Sequence, residues 1–306
     1  MLNKNFKNKI GWKLFALFTV VRGYNILMLI LAMYFTAYFI FSSDTTLFDF
    51  VKSNKIHLII LASALTVAAG YIINNFYDAQ KDRLGRPVMT YISRFVSQEF
   101  KLNVYLLLNF LALLTALIAS WRVALFFVVY QVLVWFYSHK LSKIVFLNNI
   151  SHTILSLFPF LALLLYYNNH APVIFLHGFF LGGLLLIADL SKDLLTQKAD
   201  LIYNYKTLVT VYGTQTSKIV ISIFIMIIIS LGIFMQNIEK LGHMRLYFLL
   251  MAVALFFLSI IIWFIHSKVE YLLYQYAIKT LLGIGVISIA WIKINPLDLQ
   301  KFFIIN

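Results

Sequence analysis

The stretch HLIILASALTVAAGYIINNFYDAQKD, residues 57–82, begins as an uninterrupted apolar run and ends in two aspartates. Residues 57–75 are of about the length that a helix needs to cross the hydrocarbon core of a bilayer. Asp78 and Asp82 follow within two helical turns of the end of this run. The stretch therefore predicts a transmembrane helix that brings carboxylates to one surface of the membrane.

The rest of the chain has the same apolar character. Of its 306 residues, 62% are hydrophobic and 12% are charged, whereas soluble domains hold about 45–50% apolar and about 25% charged residues. This composition excludes a disordered chain, a coiled coil and an ordinary soluble enzyme. The sequence contains no cysteine, which excludes disulfides, iron–sulfur clusters and cysteine nucleophiles.

Nine apolar segments are of about the length of a membrane-spanning helix. We therefore predict an all-α fold, a polytopic membrane bundle of about nine transmembrane helices, in which residues 1–306 form a single integral membrane domain. The sixth segment has the weakest pattern, because Pro172, Gly182 and Gly183 interrupt it. The segments are Leu14–Phe41, 57–75, 102–120, 122–137, 145–167, 172–188, 218–236, 245–266 and 274–292.

Basic residues indicate which way the chain crosses the membrane. The first segment follows Lys4, Lys7, Lys9 and Lys13 and is too long for a cleaved signal peptide, so we predict that it is retained. With a cytoplasmic N-terminus, sixteen lysines and arginines lie on the cytoplasmic side, in the connections or at the ends of the apolar segments: Lys4, Lys7, Lys9, Lys13, Lys81, Arg83, Arg86, Arg94, Lys101, Lys140, Lys143, Lys192, Lys198, Lys206, Lys218 and Lys268. This excess predicts a multi-pass protein of the bacterial inner (cytoplasmic) membrane with its N-terminus inside. The other side holds seven: Lys52, Lys55, Arg122, Lys240, Arg245, Lys293 and Lys301.

The formal net charge of +14 arises because acidic residues are scarce: 25 lysines and arginines stand against 11 aspartates and glutamates. In a membrane protein this surplus favours anionic lipid or an anionic substrate. The sequence has no phosphate-binding loop and no dinucleotide fingerprint, and we expect no nucleic-acid partner. Two cations, Arg22 and Lys279, fall within or near apolar segments, where a charge is costly and often functional.

The acidic residues concentrate in two clusters, each placed where an apolar segment ends at the predicted cytoplasmic surface. In the first cluster, Asn75, Asp78 and Asp82 are spaced i, i+3, i+7. Neighbours on a helix recur at three and four residues, so these side chains share one face if the helix continues. The second cluster has the same property, with the spacing i, i+4, i+7, i+11 for Asp189, Asp193, Thr196 and Asp200.

Two acidic faces at one membrane surface predict a paired magnesium site. Stacked carboxylates repel each other unless a cation neutralises them, and Mg²⁺ is typically held by one or two carboxylates together with substrate phosphates. The alternative is that these aspartates and lysines only solvate the helix ends. On the first interpretation, nearby cations would bind the phosphate oxygens: Lys81, Arg86, Arg94, Lys192, Lys198 and Lys206.

The two clusters lie four helices apart, at equivalent ends of the second and sixth predicted helices. This spacing indicates two parallel four-helix pseudo-repeats plus one extra helix. Parallel repeats with a binding site at their interface are a common membrane architecture.

The motifs resemble those of a known family. Asn74–Asp82, followed by Arg86-Pro87, resembles the first aspartate-rich motif of UbiA-type intramembrane prenyltransferases, N-D-x-x-D-x-x-x-D followed by R-P. Asp193–Asp200, followed by Lys206-Thr207-Leu208 and Gly213, resembles their second motif, D-x-x-D-x-x-x-D, and the segment after it.

Two shorter elements extend the resemblance over nearly the whole chain. Arg22-Gly23-Tyr24-Asn25 resembles the R-x-x-N of the family's first helix, and Tyr137-Ser138 resembles its Tyr-Ser/Thr element. Members of this family transfer an isoprenoid chain from an allylic diphosphate to an acceptor within the membrane. The resemblance therefore implies Mg²⁺ as the cofactor, a prenyl diphosphate donor, and a hydrophobic acceptor of aromatic or lipid type, in contact with membrane lipid.

The resemblance also implies roles for individual residues. Asp78, Asp82, Asp193 and Asp200 would be catalytic metal ligands, with Asn75 as a weaker one. The residues implied in substrate binding are Arg22, Asn25, Asn74, Arg86, Arg94, Tyr137, Asp189, Lys192 and Lys206.

Two positions depart from the family pattern. Asn75 and Thr196 stand where the motifs usually have acidic residues, and each replacement removes a negative charge and a strong metal ligand. Asp189, one turn before Asp193, would partly compensate. The departures leave an alternative open: a catalytically weakened or inactive paralogue that binds or transports a lipid or isoprenoid. A purely structural subunit would leave the clustered acids unexplained.

Overall fold

The computed structural model describes residues 10–42 and 45–293, and these residues form helices and connections without a strand. The helices, numbered along the chain, are α1 (Ile10–Val20), α2 (Gly23–Phe35, continued by a π-helical segment Thr36–Phe41), α3 (Leu47–Lys52), α4 (Asn54–Tyr77), α5 (Ala79–Gly85), α6 (Pro87–Ser93), α7 (Gln98–Ala119), α8 (Trp121–His139), α9 (Leu147–Tyr167), α10 (Pro172–Ile202), α11 (Leu208–Gln236), α12 (Arg245–Phe264) and α13 (Lys268–Ser288).

Nine helices among the described residues are long and apolar enough to cross a membrane, which confirms the predicted all-α polytopic bundle for that part of the chain. The spans are Gly23–Phe41, Asn54–Tyr77, Gln98–Ala119, Trp121–Lys143, Leu147–Tyr167, Pro172–Ile202, Leu208–Gln236, Glu239–Phe264 and Lys268–Ile292.

The chain divides into two compact units. The first comprises residues up to Ile30, Ser53–Ala162 and Thr196–Val211, and the second comprises Leu31–Lys52, Leu163–Leu195 and residues from Tyr212 onward.

In the first unit, α4 packs along α7 and against α8. Small residues allow this close packing, which is the usual device where helices meet without water to drive them together. Ala112, Ala116 and Ala119 form one buried stripe of α7. Gly70 of α4 faces α8 so closely that a Cβ atom there would lie 2.8 Å from Val134 Cγ1.

In the second unit, aromatic rings and one buried lysine fill the space between helices. Phe180 of α10 and Phe248 of α12 meet edge to face, with ring centroids 5.0 Å apart. Lys218 of α11 is buried, and its Nζ donates a 2.8 Å hydrogen bond to the carbonyl oxygen of Ile265, at the C-terminal end of α12. This carbonyl oxygen, a helix-terminal acceptor that has no partner within the helix, also accepts a 3.3 Å hydrogen bond from the Tyr271 hydroxyl.

The first predicted span, Leu14–Phe41, is wrong at its N-terminal end. The backbone turns at Arg22, which has a φ of +50°, so α1 is separate and the span begins at Gly23. Helix geometry requires negative φ. The apolar pattern continued through the turn and therefore did not reveal it. The prediction for Lys4, Lys7, Lys9 and Lys301 concerns residues outside the described part of the chain.

The helix that carries the second acidic cluster and the helix that follows it are both longer than predicted. The helix predicted to end at residue 188 continues to Ile202, and the one predicted to begin at residue 218 begins at Leu208. Charged residues ended the predicted segments, but a helix that has left the hydrocarbon can carry charge. Gly213 allows the chain to bend inside α11, because its φ of +84° is accessible mainly to glycine.

Candidate active site

The first acidic motif lies at the C-terminal end of α4. Asp78 is the junction between α4 and α5, and the ladder of backbone hydrogen bonds continues through it: Asp78 N–H donates to Asn74 O, and Asp82 N–H donates to Asp78 O, each at 2.9 Å. Asp78 is buried and Asp82 is half-buried. The helical register that the sequence predicted between these aspartates is therefore maintained.

Both carboxylate oxygens of Asp78 accept hydrogen bonds. Tyr205 Oη donates to Oδ1 at 2.7 Å, and Asn74 Nδ2 donates to Oδ2 at 3.1 Å. Two donors on different oxygens fix the plane of a carboxylate. Sequence analysis missed Tyr205, which lies in the turn between α10 and α11. The available signal was an aromatic residue immediately before the Lys206-Thr207-Leu208 segment.

Asp200, near the C-terminal end of α10, is fully buried. Its Oδ1 lies 3.2 Å from Lys81 Nζ, and its Oδ2 accepts a 2.7 Å hydrogen bond from Thr196 Oγ1. Thr196, where the family motif usually has an acidic residue, therefore donates to the carboxylate one turn away.

Lys81 links the two aspartates. Its Nζ contacts Asp200 and also lies 4.0 Å from the ring centroid of Tyr205, whose hydroxyl binds Asp78. A cation over an aromatic face is attracted by the ring quadrupole. Asp78, Tyr205, Lys81 and Asp200 thus form a connected set, which we term the aspartate–tyrosine cluster.

The electrostatics of the cluster keep Tyr205 protonated. Burial raises the pKa of Tyr205 far above its usual value, and the negative charges of Asp78, Asp82 and Asp200 raise it further. The phenol therefore remains a hydrogen-bond donor to Asp78 throughout the physiological range of pH. Two carboxylates against one ammonium leave a net negative charge in the cluster.

The N-terminal part of the second motif belongs to the second unit. Asp189 and Asp193 are buried, and Lys192 Nζ lies within ion-pairing distance of both: 2.5 Å from Asp189 Oδ1 and 3.9 Å from Asp193 Oδ1. Thr196 and Asp200 on the same helix are buried as well. The spacing in the sequence predicted that these four residues share one face of α10, and the structure shows in addition that all four are buried.

Arg22 and Asn25 both contact Tyr71, which precedes Asp78 by seven residues on α4. Arg22 Cζ lies 4.7 Å from the centroid of the Tyr71 ring, and Asn25 Nδ2 donates a 3.3 Å hydrogen bond to the Tyr71 hydroxyl. These two predicted substrate-binding residues are therefore oriented by α4, the helix that carries the first acidic motif.

The remaining predicted residues occupy more open positions. Arg86 ends α5 and is half-buried, and Lys206 is exposed, with its backbone N–H donating to Lys143 O at 3.3 Å. Tyr137 of α8 packs beside His152, with ring centroids 5.8 Å apart. Their roles in substrate binding stay predictions.

A cavity of about 220 Å³ opens beside the first motif. Asn75, Asp82 and Arg94, all named by sequence analysis, line it. Lys101 of α7 also lines it, and its Nζ donates a 3.1 Å hydrogen bond to Asn75 Oδ1. Nothing in the local sequence of Lys101 indicates that it is buried, so the sequence predicts only a charge on the cytoplasmic side.

The aspartate–tyrosine cluster fits a magnesium ion in its donor chemistry. Asp78 and Asp200 offer carboxylate oxygens, the hard donors that Mg²⁺ selects. Within residues 10–42 and 45–293, no three histidine or acidic side chains converge as a complete metal cage. Mg²⁺ does not need one, because it usually takes one or two carboxylates and completes its coordination with water and substrate phosphates.

The chain was compared with known protein families, curated sequences and solved structures. The UbiA prenyltransferase family matches residues 30–272. No curated protein sequence matches the chain.

Three solved structures have the same fold. One, from work on digeranylgeranylglyceryl phosphate synthase, has a TM-score of 0.67 and 15% identity, covering 90% of this chain and 97% of the other. A UbiA homologue from Archaeoglobus fulgidus bound to GPP and Mg²⁺ has a TM-score of 0.64 and 14% identity, covering 90% and 99%. An apo UbiA homologue from Aeropyrum pernix K1 has a TM-score of 0.64 and 15% identity, covering 87% and 97%.

The family match covers most of the chain, and the apolar helices and acidic motifs are those that the resemblance implied. The chain is an integral, multi-pass membrane protein, and it belongs to the UbiA prenyltransferase family.

Proposed function

We propose that this protein is a membrane-embedded prenyltransferase that moves an isoprenoid chain from a prenyl diphosphate to a hydrophobic acceptor of aromatic or lipid type, with Mg²⁺ as cofactor. The observation that carries the proposal is the aspartate–tyrosine cluster, in which Asp78 and Asp200 are buried, oriented by hydrogen bonds and left with excess negative charge. The A. fulgidus relative with the same fold binds GPP and Mg²⁺.

In this reaction the bond between C1 of the allylic chain and the diphosphate oxygen breaks, and the diphosphate leaves with the bonding electron pair. The acceptor forms a new bond to C1 and releases a proton. Mg²⁺ would supply positive charge where the leaving diphosphate becomes more negative. The chain's residues would hold the metal through Asp78 and Asp200, with Asp82 as a further candidate, whereas the metal role of Asp193 stays a prediction from the sequence. They would orient these ligands through Asn74, Tyr205 and Thr196.

Cationic residues would bind the diphosphate oxygens and stabilise the charge that develops on the leaving group. The candidates are Arg86, Arg94 and Lys206 of the first unit, whereas the role of Lys192 in substrate binding stays a prediction from the sequence. Lys81 would have a different task from the one that the sequence suggested, because it is paired with Asp200. Lys81 would hold the buried Asp200 carboxylate in place until a divalent cation replaces the ammonium as its counter-charge.

Membrane-embedded chemistry fits the substrate as well as the fold. An isoprenoid tail is apolar and dissolves in lipid, whereas its diphosphate is soluble in water. A site where apolar helices end in acidic residues can contact both parts at once. We further propose that the whole chain acts as one prenyltransferase domain in a bacterial inner membrane, with its N-terminus in the cytoplasm.

The test is transfer of a labelled prenyl diphosphate to a panel of aromatic and lipid acceptors, in membranes that contain the protein and Mg²⁺. We expect Mg²⁺-dependent release of diphosphate that Asp78→Asn and Asp200→Asn each reduce by at least about 100-fold, since a neutral amide binds the metal weakly. Asp49→Asn is the matched control, because Asp49 is exposed and, among the residues that the structure describes, its side chain bonds only to nearby Thr46. No release with any donor and acceptor would contradict the proposal.

A second candidate is a weakened paralogue that binds an isoprenoid lipid without turnover. The observation in its favour is that motif positions 75 and 196 lack a carboxylate, while Lys192 pairs with Asp189 and lies within 3.9 Å of Asp193. Asn75→Asp with Thr196→Asp separates the two candidates. A gain in turnover of tenfold or more indicates a weakened enzyme. Retention of labelled lipid without turnover in either form favours the binding role.

A further inference from the structure

Lys101 is a buried cation in the first turn of α7, where its positive charge is energetically unfavourable. It is the fourth residue of α7, and only 2% of its surface is exposed. The N-terminal end of a helix carries partial positive charge, so a lysine in the first turn gains no stabilisation from the helix. A buried charge is also costly unless an opposite charge or a set of hydrogen bonds compensates it.

The partner of Lys101 does not neutralise it. The ammonium has three donors, and one of them binds the neutral amide oxygen of Asn75 at 3.1 Å. Across residues 10–42 and 45–293, no carboxylate forms an ion pair with Lys101. An aspartate at position 75 would have supplied the missing charge, whereas asparagine leaves the ammonium uncompensated.

The cavity beside Lys101 is positively charged overall. Arg83, Arg94 and Lys101 line it, against the single carboxylate of Asp82. A cation site would need the opposite balance. Thr90 also lines the cavity, and its hydroxyl oxygen is buried without a hydrogen-bond partner among the residues that the structure describes. The volume of about 220 Å³ corresponds to roughly seven water molecules, which is enough for a phosphate group.

We propose that this cavity is a phosphate-binding subsite in which Lys101 supplies a fixed positive charge beside Asn75. Its ligand is a phosphate group that carries about two negative charges and accepts hydrogen bonds from Lys101, Arg83, Arg94 and Thr90. The proposal rests on the proposed function only for the source of the phosphate. That source is either the diphosphate of the prenyl donor or a phosphate monoester on the acceptor.

The experiment measures binding to the purified full-length protein in detergent, with EDTA present so that no divalent cation contributes. The probes are geranyl diphosphate, inorganic diphosphate and glycerol 3-phosphate. The variants are Lys101→Met, which removes the charge, and Asn75→Asp, which neutralises it in place. Lys218→Met is the matched control, because Lys218 is the other buried lysine of the described residues, does not line the cavity and donates to a backbone carbonyl.

We expect Lys101→Met to weaken binding of at least one probe by about 10- to 100-fold, the usual loss for a hydrogen bond to a charged group. Asn75→Asp should weaken it by about tenfold, while Lys218→Met should change it less than about twofold. Losses confined to the two diphosphates identify the donor as the source, and a loss confined to glycerol 3-phosphate identifies the acceptor. Equal affinities of wild type and Lys101→Met for all three probes would overturn the inference, as would an equal loss in Lys218→Met.

The outcome is separable from that of the proposed function. If the wild-type protein transfers prenyl groups and its Lys101→Met variant binds all three probes as tightly as wild type, the subsite is refuted and the proposed function stands. Lys101-dependent binding in a protein that transfers no prenyl group supports the subsite and refutes the function.

Discussion

Tyr205 donates a 2.7 Å hydrogen bond to Asp78 across 127 residues of sequence. The backbone N–H of Tyr205 also bonds to the carbonyl oxygen of Asp200, at 2.9 Å. One residue in the turn after α10 therefore joins the first acidic motif to the last aspartate of the second. Within the first unit, Tyr205 orients the Asp78 carboxylate together with Asn74.

Tyr205→Phe should reduce prenyl transfer about tenfold while leaving the fold intact, because it removes one hydrogen bond to a carboxylate, worth about 1.5–3 kcal/mol. The measurement is the rate of diphosphate release together with the apparent melting temperature in detergent. Tyr203→Phe is the control, since Tyr203 lies in the same turn and its hydroxyl bonds to no aspartate within the described residues. Equal rates for the two variants would refute the role given to Tyr205.

The raised pKa of Tyr205 predicts a pH dependence of stability. Burial and the neighbouring aspartates hold the pKa in the folded state above the value of about 10 in the unfolded chain. The resulting stabilisation is fully present below about pH 10 and is lost as the pH rises towards the pKa of the folded state. The difference in melting temperature between wild type and Tyr205→Phe should be constant from about pH 7 to 9 and shrink above about pH 10. A difference that grows at high pH would contradict this assignment.

Lys81→Met should destabilise the protein by about 3 kcal/mol, because it leaves the fully buried Asp200 without its counter-charge. Added Mg²⁺ should restore more stability to this variant than to wild type, since the divalent cation takes the place of the ammonium. The melting temperature with and without Mg²⁺ measures both effects. The double variant with Asp200→Asn should recover stability without Mg²⁺, and its failure to do so would show that Lys81 acts through packing alone.

Thr196→Val should cost about 1–2 kcal/mol and lower prenyl transfer, because it removes the hydroxyl that donates to Asp200 Oδ2 at 2.7 Å while retaining the side-chain volume. Thr196→Ser is the matched control, as it retains the donor. We expect wild-type stability within about 0.5 kcal/mol for the serine variant. If serine and valine variants behave alike, Thr196 does not act through its hydroxyl.

Gly70→Ala should destabilise the first unit by about 1–3 kcal/mol, the usual cost of overpacking. Its Cβ would lie 2.8 Å from Val134 Cγ1, and the two helices would have to separate. Val134→Ala in the same chain should recover most of the loss. The check is the melting temperature of the two single variants and the double variant, and additive losses would contradict a direct contact.

The sequence predicted those parts of the fold and site that depend on neighbouring residues. The apolar segment at residues 57–75 and the register from Asn75 to Asp82 are local properties of a helix, and both are present in the structure. The break at Arg22 was not predictable, because the positive φ occurs within a continuous apolar pattern. The extension of α10 to Ile202 was also not predictable from the apolar pattern, because that pattern ends at residue 188 although the helix continues through the polar residues that follow.

The partners of the buried charges could not be predicted in the same way. Lys81 was assigned to a phosphate and is paired with Asp200, 119 positions further along the chain. Lys101 is one of the charges that the sequence places on the cytoplasmic side, and in the structure it is buried against Asn75. No local pattern distinguishes an exposed lysine from a buried one, so the local sequence left their partners open.

The sequence by itself determined that the chain crosses a membrane many times and that its carboxylates follow the apolar helices, because hydrocarbon selects continuous apolar segments and a helix fixes the spacing of neighbours. Only the tertiary structure decided that Tyr205 and Asn74 orient Asp78, that Lys81 and Thr196 bind Asp200, and that Lys101 lies against Asn75. Packing removes water from these groups, and each buried charge must then bind whichever polar group the fold brings within reach.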